Sequence, residues 1–426
     1  MEGLPLNIPE HQIQTNGKQF MSSLRQLLPS EHHDKLYLVG GAVRNNLLGE
    51  LIQDADLVTP LTASELENLG FRLVTGKSTG PIFFKSDKTL GKIEVTLLRK
   101  GQTLEAELKR RDFRSNAVAM TLSGKIIDPL NGRGDIQQRL LVPCNPESIA
   151  DDPIRIFRAF RFKAYGWHIT PELKSLINSG GWDAALSGIP VERFTREMLK
   201  AIKGDQPALF FSQMVEFDVG RCYLPEIFRM QDVPAGPIKY HGEDTVLSHS
   251  LDVLRRMAAM TEDPTARLAA MFHDLGKLAT PDDMLPRHIG HEQAGVLIAR
   301  QFADRIRLPV SIRNAIIEAI KLHLVGGRWD ELRITTKLLL AEQARKGGIA
   351  EYFPLLVMAD RNLGHSLEGW EHVLCVSGLS AAELGIDSEL LGSLAAKDRA
   401  FMVHRQRIET LKRRLNRPGR STWLNG

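Results

Sequence analysis

The stretch Leu-Tyr-Leu-Val-Gly-Gly-Ala-Val-Arg-Asn-Asn-Leu-Leu-Gly, residues 36–49, is followed closely by Gln-Asp-Ala-Asp-Leu-Val, residues 53–58. The first part has the pattern of a buried strand, a Gly40-Gly41 turn and a helix. Glycines let backbone N–H groups approach a phosphate, and the N-terminus of the following helix carries a favourable dipole. Arg44 can pair with a phosphate oxygen. We therefore expect a phosphate-binding turn, with a purely structural turn as the alternative.

Two acidic residues follow this turn. Residues i and i+2 of a strand face the same side, so Asp54 and Asp56 place two carboxylates next to each other. Such charges repel unless a cation neutralises them, and Mg²⁺ prefers oxygen ligands. A pair of Mg²⁺ ions can also bridge an attacking hydroxyl and triphosphate oxygens. Glu94, on a later strand, is a third candidate ligand; acids in a solvated loop and a solvent-facing Glu are the alternatives.

The chain divides into a mixed α/β head and a long helical body. Runs rich in Val, Ile, Phe and Thr predict strands at residues 36–39, 55–58, 71–74, 82–84, 93–98 and 116–122. Strands are expected to end near Ile127, and the chain after Ile154 is expected to be helical. The predicted fold class is an α+β head, a small mixed sheet flanked by helices, followed by an all-α body.

The composition is that of a soluble globular protein with two or more domains. Of 426 residues, 43% are hydrophobic and 25% are charged, and the formal net charge is only +4. Nucleic-acid contact would therefore require local clustering of basic residues. The three scattered cysteines predict no disulfide framework. The sequence has no secretory pattern at its start and no run of 18 apolar residues, so a cytoplasmic location without a membrane partner is expected.

Further motifs follow in a fixed order. They are Arg-Arg-Asp-Phe-x-x-Asn-Ala at 110–117, Asp-Pro-x-x-Gly-x-x-Asp at 128–135, Asp-Asp-x-x-Arg at 151–155 and Glu-Arg-x-x-x-Glu at 192–197. With the Gly-Gly turn and the Asp-x-Asp pair, the series resembles the class II tRNA nucleotidyltransferases, the CCA-adding enzymes and bacterial poly(A) polymerases of the polymerase-β-like superfamily. The resemblance implies template-independent addition of CMP and AMP, from CTP and ATP, to the 3′ end of tRNA. It also implies catalytic Mg²⁺ at Asp54 and Asp56.

The resemblance assigns roles to residues around the incoming nucleotide. The segment 110–112 resembles the element that senses the sugar 2′-hydroxyl and the phosphates, and Asp152 with Arg155 resembles a protein template that reads the base edge. A surface ion pair and an N-cap at Asp152 are the structural alternatives. Three arginines at i, i+3 and i+6 share one helix face that suits RNA or triphosphate. The predicted nucleotide-binding residues are Gly40, Gly41, Arg44, Arg111, Asp112, Asn116, Asp152, Arg155, Arg158 and Arg161.

A second constellation lies in the helical body. The order His…His-Asp…Asp resembles the HD phosphohydrolase signature, and residues 273–295 resemble the HD domain appended to some bacterial CCA-adding enzymes. Imidazoles with carboxylates suit a first-row divalent transition metal, and metal-assisted hydrolysis of phosphoesters is the expected chemistry. The predicted ligands are His249, His273, Asp274 and Asp360, and the histidines that can extend the site are His288, His291 and His323.

The resemblance suggests five segments: an N-terminal extension (1–21), the nucleotidyltransferase head (22–140), a helical neck for base and RNA binding (141–222), the HD domain (223–370) and a helical tail (371–426). Only residues 100–109 separate Arg99 from Arg110, whereas CCA-adding relatives usually carry a longer loop there. The short segment resembles that of enzymes that add only the two cytidines. The motifs are also compatible with a poly(A) polymerase and with an HD phosphohydrolase that has an RNA-binding head. Asn45 and Pro81, which depart from the family pattern, slightly favour the phosphohydrolase.

Overall fold

The computed structural model describes residues 17–52, 55–74, 81–241, 244–361, 364 and 366–415. The chain forms two compact units, Met1–Gly180 and Gly181–Gly426. The first contains a mixed sheet with helices, and the second is helical throughout its described part, so the predicted fold class is confirmed. Across the described ranges, the helices are all too short or too polar to cross a membrane.

The head unit is built around a seven-stranded sheet. Its strands are β1 (Tyr37–Val39), β2 (Ala55–Thr59), β3 (Arg72–Val74), β4 (Ile82–Asp87), β5 (Gly91–Leu97), β6 (Ala119–Thr121) and β7 (Ile126–Ile127). The spatial order is β3-β4-β5-β2-β1-β6-β7. The pairing of β2 with β5 is parallel and the other pairings are antiparallel, which makes the sheet mixed.

Short helices flank this sheet. They are α1 (Gly17–Leu27), α2 (Gly41–Leu48), α3 (Ala63–Asn68), α4 (Leu104–Lys109), α5 (Gly132–Gln138), α6 (Ser148–Asp151), α7 (Arg155–Ala164) and α8 (Pro171–Asn178). Helix α1 begins inside the predicted N-terminal extension, and its apolar side chains Phe20 and Leu24 are buried. Between α5 and α8, β8 (Leu140–Leu141) pairs in parallel with β9 (His168–Ile169).

The strand predictions are largely confirmed, with two corrections. Asn116 lies in a 3₁₀ turn, Arg114–Asn116, rather than in a strand, because β6 begins only at Ala119. The prediction that strands end near Ile127 is wrong, since β8 and β9 follow. These two strands have only two residues each, too short for an alternating pattern to reveal them.

The second unit consists of helices. They are α9 (Trp182–Ser187), α10 (Val191–Ala201), α11 (Ala208–Glu216), α12 (Pro225–Asp232), α13 (Ile238–His241), α14 (Val246–Met260), α15 (Pro264–Phe272), α16 (His291–Arg305), α17 (Val310–Gly326), α18 (Ile334–Lys346), α19 (Phe353–Asp360), α20 (Trp370–Ser377), α21 (Ser388–Ser393) and α22 (Ala396–Leu415). One core joins residues of α14, α15, α17 to α20 and α22. Leu411 of α22 is fully buried in it, so the predicted tail packs on the same core as the HD helices.

Candidate functional site

Asp56 and Glu94 are neighbours on the central strands of the head sheet. In the parallel pairing of β2 with β5, their Cα atoms are direct partners. Asp56 is exposed while its neighbours Ala55 and Leu57 are buried, as the alternation of a half-buried strand requires. The two carboxylates therefore lie beside each other on one face of the sheet. Asp54, the predicted partner of Asp56, lies outside the described residues.

The glycine turn lies against this acidic face. Gly40 has φ 66° and ψ −131°, a conformation that side-chain-bearing residues rarely adopt. A Cβ atom at Gly40 would lie 3.2 Å from Nη1 of Arg111 and 4.0 Å from Oδ2 of Asp56. Within the described part of the chain, the buried Nε of Arg111 has no hydrogen-bond partner. The Gly40 turn, the Arg111 guanidinium and the Asp56 carboxylate thus meet at one place. This combination suits a triphosphate with a bound divalent metal.

A chain of hydrogen bonds joins the helix after the turn to α7. Nη1 of Arg44 donates to Oδ1 of Asn116 over 2.6 Å, and Nδ2 of Asn116 donates to Oδ1 of Asp112 over 2.9 Å. Nε of Arg158 donates to Oδ2 of Asp112 over 2.7 Å. Burial alone would raise the pKa of Asp112, but Arg158 and the hydrogen bonds hold it well below its usual range. The ionised Asp112 therefore orients Arg158 directly and Arg44 through Asn116.

These arginines form a positive cluster over aromatic rings. The guanidinium carbon of Arg44 lies 4.9 Å from the ring centre of Phe162, and that of Arg161 lies 4.4 Å from the same ring. Burial and the nearby Arg161 lower the pKa of Arg44 to about 10, so it stays charged at neutral pH. The charges of Arg158 and Arg161 and of the carboxylates of Asp112 and Glu50 all act on Arg44. Three guanidinium groups at one place suit an anionic ligand.

The two residues predicted to read the base occupy different settings. Nη1 of Arg155 donates to the carbonyl of Ser148 over 2.9 Å, and its Nη2 donates to the carbonyl of Arg110 over 2.7 Å. Arg155 thus ties the start of α7 to the 110–111 segment. Asp152 is the C-cap of α6, and the N-cap of α7 is Ile154 without a side-chain cap. Base reading by Asp152 and Arg155 stays a prediction.

In the second unit, five elements bring histidines and carboxylates together. His249 lies on α14, and His273 and Asp274 directly follow α15, whereas the sequence predicted them within that helix. Asp360 ends α19. His291 begins α16 and His323 lies near the end of α17. All six are buried or nearly so.

The donor atoms of the four predicted ligands face one another. Nε2 of His249 lies 3.0 Å from Oδ1 of Asp360 and 3.5 Å from Oδ2 of Asp274. Nε2 of His273 lies 3.3 Å from each of these same oxygens. Metal ligands with bonds of about 2.1 Å lie roughly 3.0–3.4 Å apart at the corners of a tetrahedron or octahedron. Three of the four observed spacings fall in that range and the fourth is 3.5 Å, so the four side chains fit one divalent metal.

The imidazole orientation supports metal binding. Nδ1 of His273 donates to the carbonyl of Ala270 over 2.7 Å, which leaves Nε2 directed at the carboxylates without a hydrogen bond. Burial alone would lower the pKa of His273, but Asp274 and Asp360 raise it to about 10 in the metal-free arrangement. The two carboxylates therefore favour a positive charge at this place, and a metal ion would take the place of that proton.

Of the three additional histidines, two lie beside Asp274 and one does not. His291 and His323 also direct Nε2 at Asp274, at 3.5 and 3.4 Å from Oδ1. His288 does not belong to the cluster, because its Nε2 bonds to the carbonyl of Pro234 and its Nδ1 to Thr280. The sequence analysis did not single out Lys277, whose Nζ lies 2.7 Å from Oδ2 of Asp274. Its position three residues after Asp274 was the available signal.

Comparisons with known proteins identify both domains. Residues 83–142 match the family model of the poly A polymerase head domain, and residues 246–348 match that of the HD domain. The multifunctional CCA protein of Thioalkalivibrio sulfidiphilus is 36% identical over 72% of this chain and 79% of its own length. The protein of the same name from Legionella pneumophila is 35% identical over the same shares.

Solved structures of CCA-adding enzymes have the same fold. The Bacillus stearothermophilus enzyme in complex with CTP has a TM-score of 0.59 at 23% identity, covering 94% of this chain and 93% of its own. The Thermotoga maritima enzyme complexed with tRNA has a TM-score of 0.60 at 18% identity, with 94% and 95% covered. Because the curated relatives exceed one third identity over most of both chains, this chain belongs to the family of the multifunctional CCA proteins.

Proposed function

We propose that this chain adds CMP and AMP from CTP and ATP to the 3′ end of tRNA, without a nucleic-acid template and in the cytoplasm. The observation that carries the proposal is the meeting of Asp56, Glu94 and the unsatisfied Arg111 donor beside the Gly40 turn. Membership of the multifunctional CCA proteins supports the same activity. Both matched domain families are metal-dependent, and we propose Mg²⁺ for the oxygen ligands of the head.

In the proposed reaction, the tRNA 3′-hydroxyl attacks the α-phosphorus of the nucleotide and pyrophosphate leaves. Asp56, with Asp54 and Glu94, would hold Mg²⁺, which supplies charge neutralisation and alignment of the reacting oxygens. Gly40 leaves room for the triphosphate, and Arg111 donates to it. The cluster of Arg44, Arg158 and Arg161 orients the anionic substrate, so the protein contributes position and charge rather than covalent chemistry.

Incubation of the full chain with tRNA lacking its terminal CCA tests this proposal. The nucleotide is supplied as CTP alone, ATP alone or both. We expect two cytidylates with CTP alone and a complete CCA end with both nucleotides. Failure to incorporate either nucleotide would reject the proposal, and long adenylate tracts on unrelated RNA would instead identify a poly(A) polymerase.

Addition of only the two cytidines is a second candidate, and one observation favours it. The segment between β5 and Arg110 is short and closed, because Thr103 caps α4 through the Ala106 N–H and the side chains of Leu104 and Leu108 are buried. Little chain remains there for the longer loop that CCA-adding relatives usually carry. The same assay decides, since products that stop after two cytidylates with both nucleotides present would identify a CC-adding enzyme.

We also propose that the HD domain is a metal-dependent phosphohydrolase. His249, His273, Asp274 and Asp360 would hold a divalent transition metal, for which a mixed set of imidazole and carboxylate ligands is suited. Such an ion supplies a water molecule of lowered pKa and polarises the phosphoryl group. Nucleoside 2′,3′-cyclic phosphates and 2′-phosphates are the test substrates. If hydrolysis occurs but no nucleotide is added to tRNA, the head serves only to bind RNA.

A further inference from the structure

Four consecutive backbone carbonyls, at and just after the end of α4, accept hydrogen bonds from one later segment of the chain. They belong to residues 109–112, which include Arg111 and Asp112 of the predicted nucleotide site. The donors are side chains, and we call them together the carbonyl clamp: Asn145, Ser148 and Arg155. The proposed transfer reaction assigns no role to Asn145 or Ser148.

The first three carbonyls of the segment bind to two members of the clamp. Nδ2 of Asn145 donates to the carbonyl of Lys109 over 2.8 Å. Nη2 of Arg155 donates to the carbonyl of Arg110 over 2.7 Å, and its Nη1 donates to that of Arg111 over 3.3 Å. A planar guanidinium group with donors in a fixed fork can hold two successive carbonyls in this way.

Ser148 holds the fourth carbonyl with a hydroxyl group that both accepts and donates. Nη1 of Arg155 donates to Oγ of Ser148 over 3.0 Å, and this Oγ donates to the carbonyl of Asp112 over 3.0 Å. The backbone N–H of Cys144 donates to the same carbonyl over 3.2 Å. Because Ser148 is fully buried, water does not compete for its hydroxyl group. The direction of the Asp112 carbonyl is therefore fixed from two sides.

Capping of α4 accounts for only part of this arrangement. The carbonyls at the end of a helix have no partner within the helix, so those of Lys109 and of the C-cap Arg110 need external donors. Arg111 and Asp112 lie beyond the cap, yet their carbonyls are bound as well. In the described part of the chain, the buried Oδ1 of Asn145 has no hydrogen-bond partner, which lowers the stability of the fold. The clamp thus fixes a backbone path beyond the helix, and does so at some cost in stability.

The segment held by the clamp directs its side chains to the predicted triphosphate site. Nη1 of Arg111 lies 3.2 Å from the position that a Cβ atom on Gly40 would occupy. Oδ2 of Asp112 accepts a hydrogen bond from Nε of Arg158 over 2.7 Å. A misplacement of about 1 Å in groups that position a substrate can lower the rate about 10²-fold. The path of this backbone therefore matters for nucleotide binding.

We propose that Asn145 and Ser148 are positioning residues for nucleotide addition: with Arg155 they hold residues 109–112 so that the side chains of this segment meet the triphosphate. Asp152 lies between Ser148 and Arg155 in the chain. The clamp therefore also links the segment predicted to read the base to the segment predicted to hold the phosphates. The inference rests on the nucleotide-binding role proposed for the head.

Two substitutions that each remove one donor test the clamp. Asn145→Asp replaces Nδ2 with a carboxylate oxygen that repels the carbonyl of Lys109, and Ser148→Ala removes the hydroxyl group. We expect the KM for CTP to rise about 10-fold in each variant, with a smaller change in kcat. The matched control is Thr170→Val, which also removes a hydroxyl group that donates to a backbone carbonyl, that of Leu141 over 3.0 Å. The control should lower the free energy of unfolding in urea to a similar extent but leave the KM unchanged.

Equilibrium binding of CTP with Mg²⁺, measured by calorimetry without tRNA, does not depend on nucleotide addition. The Kd for CTP should rise in both clamp variants and stay the same in Thr170→Val. Unchanged CTP binding in both clamp variants, or an equal loss in Thr170→Val, would overturn the proposal. If the unaltered protein binds CTP but adds nothing to tRNA, the proposed function fails and the clamp is judged by the binding data. If the unaltered protein binds no CTP, both proposals fail.

Discussion

The two candidate metal sites of this chain are built in opposite ways. In the head, Asp56 is exposed on the sheet and the side chain of Glu94 is 38% exposed, so the described ligands are oxygens open to solvent. In the helical unit, the side chains of His273 and Asp274 are 0% and 1% exposed, and two of the four proposed ligands are imidazole nitrogens. An open set of oxygens suits Mg²⁺ that arrives with a nucleotide, whereas a buried histidine set suits a resident transition metal. The difference indicates that each site can be disabled separately.

The largest effect should come from removing one carboxylate at each site. Asp56→Asn is expected to lower nucleotide addition to tRNA by on the order of 10³-fold, because charge neutralisation at the reacting phosphate is lost. Hydrolysis of cyclic phosphate should be unchanged. Asp274→Asn should show the reverse pattern. Rates of incorporation and hydrolysis are measured for both variants, and equal losses of both activities in either variant would contradict the separation of the sites.

Metal removal should distinguish the sites by rate and by the restoring ion. A chelator is expected to stop nucleotide addition on mixing and hydrolysis more slowly, since the buried site must open before its ion leaves. Added Mg²⁺ should restore addition but not hydrolysis, which should require Co²⁺, Ni²⁺ or Mn²⁺. The time courses of both activities are followed after chelation. Recovery of hydrolysis with Mg²⁺ alone would contradict the proposed difference between the two sites in the metal ion that they prefer.

A smaller effect is expected at Arg111, which belongs to the open site. Arg111→Lys keeps the charge but loses the planar fork with its unsatisfied Nε, so the KM for CTP should rise about 10–100-fold. The matched control is Arg72→Lys, an exposed arginine on the edge strand β3, which should change the KM little. Steady-state kinetics with both variants provide the measurement. The same rise in both would assign the effect to general electrostatics rather than to Arg111.

The smallest effect is on the free energy of unfolding and concerns Asp112, the buried carboxylate of the head. Because the pKa of Asp112 lies well below its usual range, the folded head keeps it ionised where the unfolded chain binds a proton. Its stabilising contribution is complete above about pH 4 and is lost as the pH falls further. Asp112→Asn should therefore destabilise the protein by about 1–3 kcal/mol at pH 7 and by less near pH 3. Urea unfolding across this pH range measures both values.

The control for that experiment is an exposed ion pair. Asp218→Asn removes the partner of Arg221, and both side chains are more than half exposed. We expect a change within about 0.5 kcal/mol at either pH. If Asp112→Asn has an equally small effect, the hydrogen-bond network from Arg44 to Arg158 does not stabilise the folded head.

Much of the fold could be predicted from the sequence because local patterns carry it. Runs rich in Val, Ile, Phe and Thr indicated most strands of the head, and the Gly40-Gly41 turn was recognised before α2. The short strands β8 and β9 could not be predicted, since two residues show no period. The position of Glu94 beside Asp56 depends on the parallel pairing of β2 with β5, which brings together segments far apart in the sequence.

The sequence by itself determined the residue types: acids two positions apart, arginines spaced by three, and histidines with aspartates in the HD order. Only the tertiary structure decided which of them meet. It placed His291 and His323 beside Asp274 and His288 outside that cluster, although the sequence analysis could not separate the three. The physical reason is that ligand geometry depends on the packing of five separate helical elements around Asp274, and no local spacing encodes that packing.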